Sequence, residues 1–176
     1  MPVSVKGVVE LRKALRSFSP DLGKALTAEM GAALKPITKT ARGYLPSNSD
    51  VLSNWQGTKV RSDGRFPQYD LTVARRGITY KTAPSRPNRK GFRSLATLYN
   101  KSAAGAIYET AGRKNPDSTF VKNLDNKYAA AMKGQGKERG RAIYRAWQED
   151  QGKTTAAVMK AIEKASAMFQ ARSKIK

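Results

Sequence analysis

The chain predicts an α+β fold: a small antiparallel sheet, with a long N-terminal helix and C-terminal helices packed on it. Three observations predict it. Apolar residues recur at helical spacing before residue 46, the period changes to two from Tyr69, and helical spacing returns after Asp117. With 176 residues, the expectation is one domain over 1–176. Its parts are N-terminal helices at 1–46, an irregular loop at 47–68, an antiparallel sheet at 69–112 carrying a basic loop at 84–93, and C-terminal helices at 116–172.

Taken in order, Val5 to Leu15 reads as a short strand entering a short helix, with Val8, Leu11 and Leu15 on one face. Ser19 is a suitable N-cap, and Pro20 occupies the first helical position, where a missing N–H costs nothing. Leu22, Leu26, Met30, Ala33, Ile37, Ala41 and Tyr44 then form a core-facing stripe. Pro36 interrupts that stripe and should kink or split the helix, which Gly43 and Pro46 end. Trp55 and Phe66 are the large anchors of the polar, irregular stretch that follows.

Tyr69, Leu71 and Val73 alternate with polar neighbours, Arg76-Gly77 offers a turn, and Ile78 and Tyr80 resume the alternation, which reads as a β-hairpin. Leu95, Thr97 and Tyr99, then Ala106, Ile107 and Tyr108, read as further strands around a turn at 101–105. Asp117-Ser118-Thr119 caps a helix with Phe120, Leu124, Tyr128 and Met132 on its apolar face, and Gly134-Gln135-Gly136 breaks it. Ile143, Ala146 and Trp147 continue a helical stripe. After a soft break at Gly152, Val158, Ala161, Ile162, Ala165 and Phe169 extend it.

Composition narrows the function. Apolar residues make up 39% and charged residues 27%, which suits a globular fold. No stretch approaches the roughly 18 uninterrupted apolar residues of a membrane span. The first residues lack a charged leader ahead of an apolar block, so the expectation is a protein made and used in a cytosol unless it leaves inside a larger particle. Cysteine and histidine are both absent. The usual acid–base group near neutral pH, the strongest nucleophile and the commonest metal ligands are therefore missing, and no metal, cofactor or catalytic residue is expected. Glu149-Asp150, the adjacent acidic pair, reads as surface charge. Three weak motif matches fail on context. Gly152-Lys153-Thr154 lacks the upstream glycine and strand of a P-loop, Gly134-Gln135-Gly136 with Gly140 misses the dinucleotide spacing, and Ser173 with Lys176 lies at a chain end.

Charge is the dominant feature. Lys and Arg number 34 against 13 Asp and Glu, a formal net charge of +21 that is densest between residues 61 and 115. Such a chain repels its own copies unless a polyanion or an acidic partner screens it. Arg86, Arg89, Lys90 and Arg93 fall between Pro84/Pro87 and Gly91, so the loop can project charge toward a phosphate backbone or an acidic neighbouring protein, or simply be a solvated tip. The segment lacks the interleaved aromatic platform that stacks bases, so sequence-specific recognition is not expected. In the segment 105–113, Glu109 is placed to pair with an arginine of a neighbouring subunit or with Arg113 across its own turn.

Three short patterns occur in order along the chain: Val5-Lys6-Gly7-x-x-Glu10-Leu11-x-x-Ala14-Leu15, Ala41-Arg42-x-x-Leu45-Pro46, and Gly105-Ala106-Ile107-Tyr108-Glu109-x-Ala111-Gly112. Together they resemble the small neck, or tail-completion (head–tail joining), proteins of long-tailed bacteriophages, in the version carried by phages of actinobacteria. That family's usual aromatic-Glu-x-Gly-Thr pattern is replaced here by Ala111-Gly112-Arg113. The resemblance implies a virion protein without an active site, assembled in the bacterial cytoplasm as a homo-oligomeric ring, usually a hexamer. Such a ring sits between head-side connector or stopper proteins and the tail terminator or tail tube. It implies non-specific contact with packaged double-stranded DNA, with no membrane and no small-molecule substrate. On this expectation the basic loop (Arg86, Arg89, Lys90, Arg93) faces DNA or a partner, and Tyr108, Glu109, Gly112, Arg113, Trp55 and Phe66 are candidates for subunit interfaces. A tail terminator or minor tail protein is a close variant; a free basic nucleic-acid-binding protein is a more distant one.

Overall fold

A computed structural model describes residues 7–52, 55, 66–128, 132–135 and 138–174. In chain order the elements are α1 (Val8–Phe18), α2 (Pro20–Gly43), α3 (Leu71–Gly77), β1 (Ile78–Lys81), β2 (Thr97–Asn100), α4 (Ala103–Thr110), α5 (Thr119–Tyr128), β3 (Lys133–Gln135), β4 (Glu138–Gly140), α6 (Ile143–Asp150) and α7 (Lys153–Lys174). The fold mixes helix and sheet, as the periodicity predicts, with helix dominant. Among the described residues the sheet is two separate pairs, β1 with β2 and β3 with β4. The second pair is antiparallel, with Lys133 opposite Gly140 and Gln135 opposite Glu138.

The chain resolves into two compact units. One comprises Met1–Pro36, Tyr80–Thr97 and Gly152–Lys176; the other comprises Ile37–Thr79 and Leu98–Gln151. In the first unit Val8, Leu15, Leu22, Leu26 and Met30 from α1 and α2 pack with Ala161, Ile162 and Ala165 of α7. Arg12 is buried with them. Its guanidinium donates to the Thr82 carbonyl at 2.5 Å. The strand expected at Val5 lies outside the described residues.

The second unit has a core of Ile37, Ala41, Leu45, Trp55, Tyr69, Ile78, Tyr108 and Leu124. Trp55 makes an edge-to-face contact with Phe120 at 5.1 Å and a tilted one with Tyr69 at 5.2 Å, and its indole N–H donates to the Pro67 carbonyl at 2.8 Å. Pro36 does not split α2, which runs unbroken for 24 residues. Proline removes one helical hydrogen bond, a loss that a single position of a 24-residue helix sustains here without a break.

Two expected strands are helices. Leu71 and Val73 lie in α3, where Asp70 is the N-cap and its Oδ1 accepts the Val73 N–H at 2.8 Å. The residues buried on α3 are Ala74 and Gly77, too small to register in a hydrophobic pattern, and Val73 is exposed. Likewise Ala106, Ile107 and Tyr108 lie in α4, capped by Ser102, whose Oγ accepts the Gly105 N–H at 3.1 Å. Asn100 ties these two helices together. Its Oδ1 accepts the Ser102 N–H, and its Nδ2 donates to the Ala74 carbonyl. The glycine-rich break after α5 is in turn the β3–β4 hairpin, against which α6 packs. Ile78 and Tyr80 fall in β1 and Thr97 and Tyr99 in β2, as predicted.

Candidate functional site

The segment 105–113 is built into the interior. Tyr108 and Glu109 lie in the last turn of α4, with Glu109 only 5% exposed. The Glu109 carboxylate accepts three successive backbone N–H groups at the start of α6: Ala142 at 2.7 Å and Ile143 at 3.0 Å on Oε2, and Tyr144 at 2.9 Å on Oε1. Ala142, the N-cap of α6, has no side chain that could cap the helix, so the acceptor comes from α4 instead. A negative group there also meets the positive end of the helix dipole. Within the chain the Glu109 carboxylate is thus engaged by α6 rather than by Arg113 across its own turn. It is a cap supplied from a distance.

Arg141 completes the arrangement. It is fully buried, its Nη1 donates to the Tyr108 and Ala111 carbonyls at 3.1 and 2.9 Å, and its Nη2 pairs with Asp125. These contacts place a cation at the negative end of α4. Arg139 donates to the Gly112 carbonyl at 3.1 Å, while Arg113 donates to the Arg139 carbonyl at 2.5 Å and lies 4.7 Å from the Tyr144 ring centre. Gly112 is buried beneath this contact, and its φ of +90° lets the chain turn there. Trp55 is a core residue and Phe66 packs half-buried against it. All six residues nominated as subunit-interface candidates are thus engaged inside the chain, most of them buried.

The basic loop is the opposite case. Arg86, Arg89, Lys90 and Arg93 are all exposed. The loop is closed by its own short polar residues. Ser85 N–H donates to the Ser94 carbonyl at 2.9 Å, and Ser94 N–H donates to Ser85 Oγ at 2.8 Å. At the tip Gly91 N–H reaches the Asn88 carbonyl, Asn88 N–H reaches the Phe92 carbonyl, and Asn88 Oδ1 accepts the Lys90 and Phe92 N–H groups. Gly91 has φ +78°, the left-handed residue that follows the turn in a three-residue hairpin tip. Phe92, beside it, is 57% exposed.

No family model, curated protein or solved structure matches this chain.

Among the described residues no group of three or more acidic side chains is placed to hold a metal ion, and no helix is long and apolar enough to cross a membrane. Two open depressions flank the β3–β4 hairpin. The larger, about 420 Å³, is lined by Gly134, Gln135, Glu138 and Gln148; the smaller, about 260 Å³, by Asp125, Met132, Gly134 and Arg139. Asp125 is already paired with Arg141, so these lining groups offer no carboxylate pair for acid–base work. Glu149 lies on the surface, where its carboxylate, held below the usual range, accepts from the Tyr44 hydroxyl and Arg145. Sequence reasoning missed Arg141, Asp125 and Phe92. An arginine in Glu-Arg-Gly-Arg carries no sign of burial, whereas Asn88 three residues before Gly91 is a readable turn signal.

Proposed function

We propose that this protein is a non-enzymatic structural component of a phage neck, a ring subunit that joins the connector of a DNA-filled head to the tail. The observation that carries the reading is the uncompensated cationic loop. Between Asp70 and Glu109 the chain has no acidic residue, and at the centre of that run four exposed cations stand on a hairpin tip closed by its own hydrogen bonds. The motif residues that carry the resemblance to neck proteins support the same reading in another way. Leu15, Leu45, Tyr108 and Glu109 are buried, so they act as scaffold, and what the protein offers to others is its charged surface. Dispersed lysines and arginines suit contact with a sliding duplex better than base readout does. On this reading the protein works in the virion, alongside head-side connector proteins and the tail terminator or tail tube. The test is electron microscopy of particles made without this protein. The expected result is filled heads and free tails, unjoined; normal joined particles would refute the proposal.

The high charge also suits a free nucleic-acid-binding protein. In that case the isolated chain binds duplex DNA with affinity that falls steeply with salt. The neck reading expects weak binding by the lone subunit.

A further inference from the structure

We infer that the tip of the 84–93 loop is a protein-docking plug: Phe92 enters an apolar socket on a different, acidic protein, whose carboxylates meet Arg86, Arg89, Lys90 and Arg93. This rests on the reading of the protein as a neck component and assigns the loop's four cations to a protein partner, leaving contact with the duplex to the other lysines and arginines of the chain.

The loop tip pairs an aromatic ring with charge. Phe92 is more than half exposed on a turn whose other long side chains are cations. A phosphate backbone alone would account for the cations but not for the ring, which could meet a duplex only by unstacking a base step, at a free-energy cost. A socket with an apolar floor and an acidic rim accommodates both, and aromatic and arginine side chains are the commonest anchors of protein interfaces.

The tip is also pre-organised. Asn88 fixes the tip through its own amide and its side-chain oxygen, and Ser85 and Ser94 close the base. A ring and four charges held in one arrangement lose little conformational freedom on binding, which raises affinity without adding contacts.

A second copy is a poor occupant, because two chains of net charge +21 repel one another. With 13 acidic residues against 34 basic ones, the chain has little negative surface to offer. Glu109 is buried, and Asp21, Glu29, Asp125 and Glu149 already pair with Arg172, Lys164, Arg141 and Arg145. An acidic socket therefore fits another polypeptide better than a second copy of this one.

The test replaces Phe92 with the photo-crosslinking residue p-benzoylphenylalanine in the full-length protein, in cells producing particles, and identifies the crosslinked peptide by mass spectrometry. The expected peptide comes from another polypeptide and carries apolar residues flanked by Asp or Glu. A crosslink to a second copy, to nucleic acid or to a peptide without carboxylates would overturn the inference, as would no crosslink at all. Alongside it, Phe92→Ser should cut head–tail joining by about tenfold or more and Phe92→Leu by no more than about twofold, the pattern of a buried apolar anchor. Duplex DNA affinity of Phe92→Ser should stay within about twofold of the parent, since phosphate contacts set it; a tenfold loss would point to a wedge between base pairs and overturn the inference. Heads and tails that join in cells lacking this protein would refute the neck reading while the crosslink result still decides the plug.

Discussion

The cluster around Glu109 and the loop at 84–93 are both marked by charge and glycine, yet they use them in opposite ways. In the first, a carboxylate and three arginines meet backbone groups inside one compact unit: Glu109 on the N–H groups of α6, Arg141 on the last carbonyls of α4, and Arg139 and Arg113 beside them. In the second, four cations face solvent while uncharged serine and asparagine hold the backbone. A charge whose field ends on buried backbone dipoles stabilises the fold. A charge left in water on a rigid tip is available to a partner. Charge counting treats the two alike; only the location of the acceptors separates them.

The sharpest way to break the contrast is to remove the buried cap. Glu109→Ala leaves three N–H groups without an acceptor, and the expected cost is about 3–5 kcal/mol in denaturant unfolding. Glu109→Gln keeps one acceptor oxygen, so about half that loss is expected. Gly140→Ala attacks the same cap, because its added Cβ would collide with Glu109 Oε1. The two changes should be strongly non-additive in a double-mutant cycle, with a coupling of about 1–3 kcal/mol. Additive effects would mean that the cap is not what Gly140 makes room for.

A smaller effect sharpens the burial side. Burial pushes the Tyr108 hydroxyl up to about 12. Its neutral form is therefore favoured in the folded chain, and that contribution is complete below pH 10, where the unfolded phenol is also protonated. It is lost as pH rises from about 10 toward 12, by about 2–3 kcal/mol at most. Tyr69 is raised for the same reason, so Tyr108→Phe should make the alkaline fall in stability shallower without abolishing it. An unchanged alkaline limb would show that Tyr108 is not shielded.

The smallest effect belongs to the loop. Arg86→Gln with Arg89→Gln should change unfolding free energy by no more than about 0.5 kcal/mol, because neither side chain is buried. A loss above about 1 kcal/mol would place those arginines among the structural charges and erase the contrast.

Much of the helical fold was legible. The α2 stripe from Leu22 to Ala41 and the α7 stripe at Ala161, Ile162 and Ala165 lie where 3.6-residue spacing puts them, because large side chains on one face leave a periodic trace. The errors share a cause. In α3 and α4 several of the buried residues are small, Ala74, Gly77, Ala104 and Gly105, and the caps look unremarkable in the sequence: Asp70 passes for a polar position in an alternating strand and Ser102 for part of a turn. At the candidate site the exposed basic loop was legible from Pro84, Pro87, Gly91 and four cations. The role of Glu109 was not, since the N–H groups that donate to it lie 33 to 35 residues further along the chain.

Net charge, the absence of cysteine and histidine, and the positions of the long helices were determined by the sequence alone, because each depends on composition or on neighbours within a few turns. Which charges are buried was decided only by tertiary structure. Arg141 and Arg89 are the same residue type, each among several other cations in sequence, but α4 and α5 bring the Tyr108 and Ala111 carbonyls and Asp125 to Arg141, while Arg89 remains in water. A charge becomes structural when folding delivers acceptors that replace its lost hydration, and those acceptors come from parts of the chain that no local pattern connects.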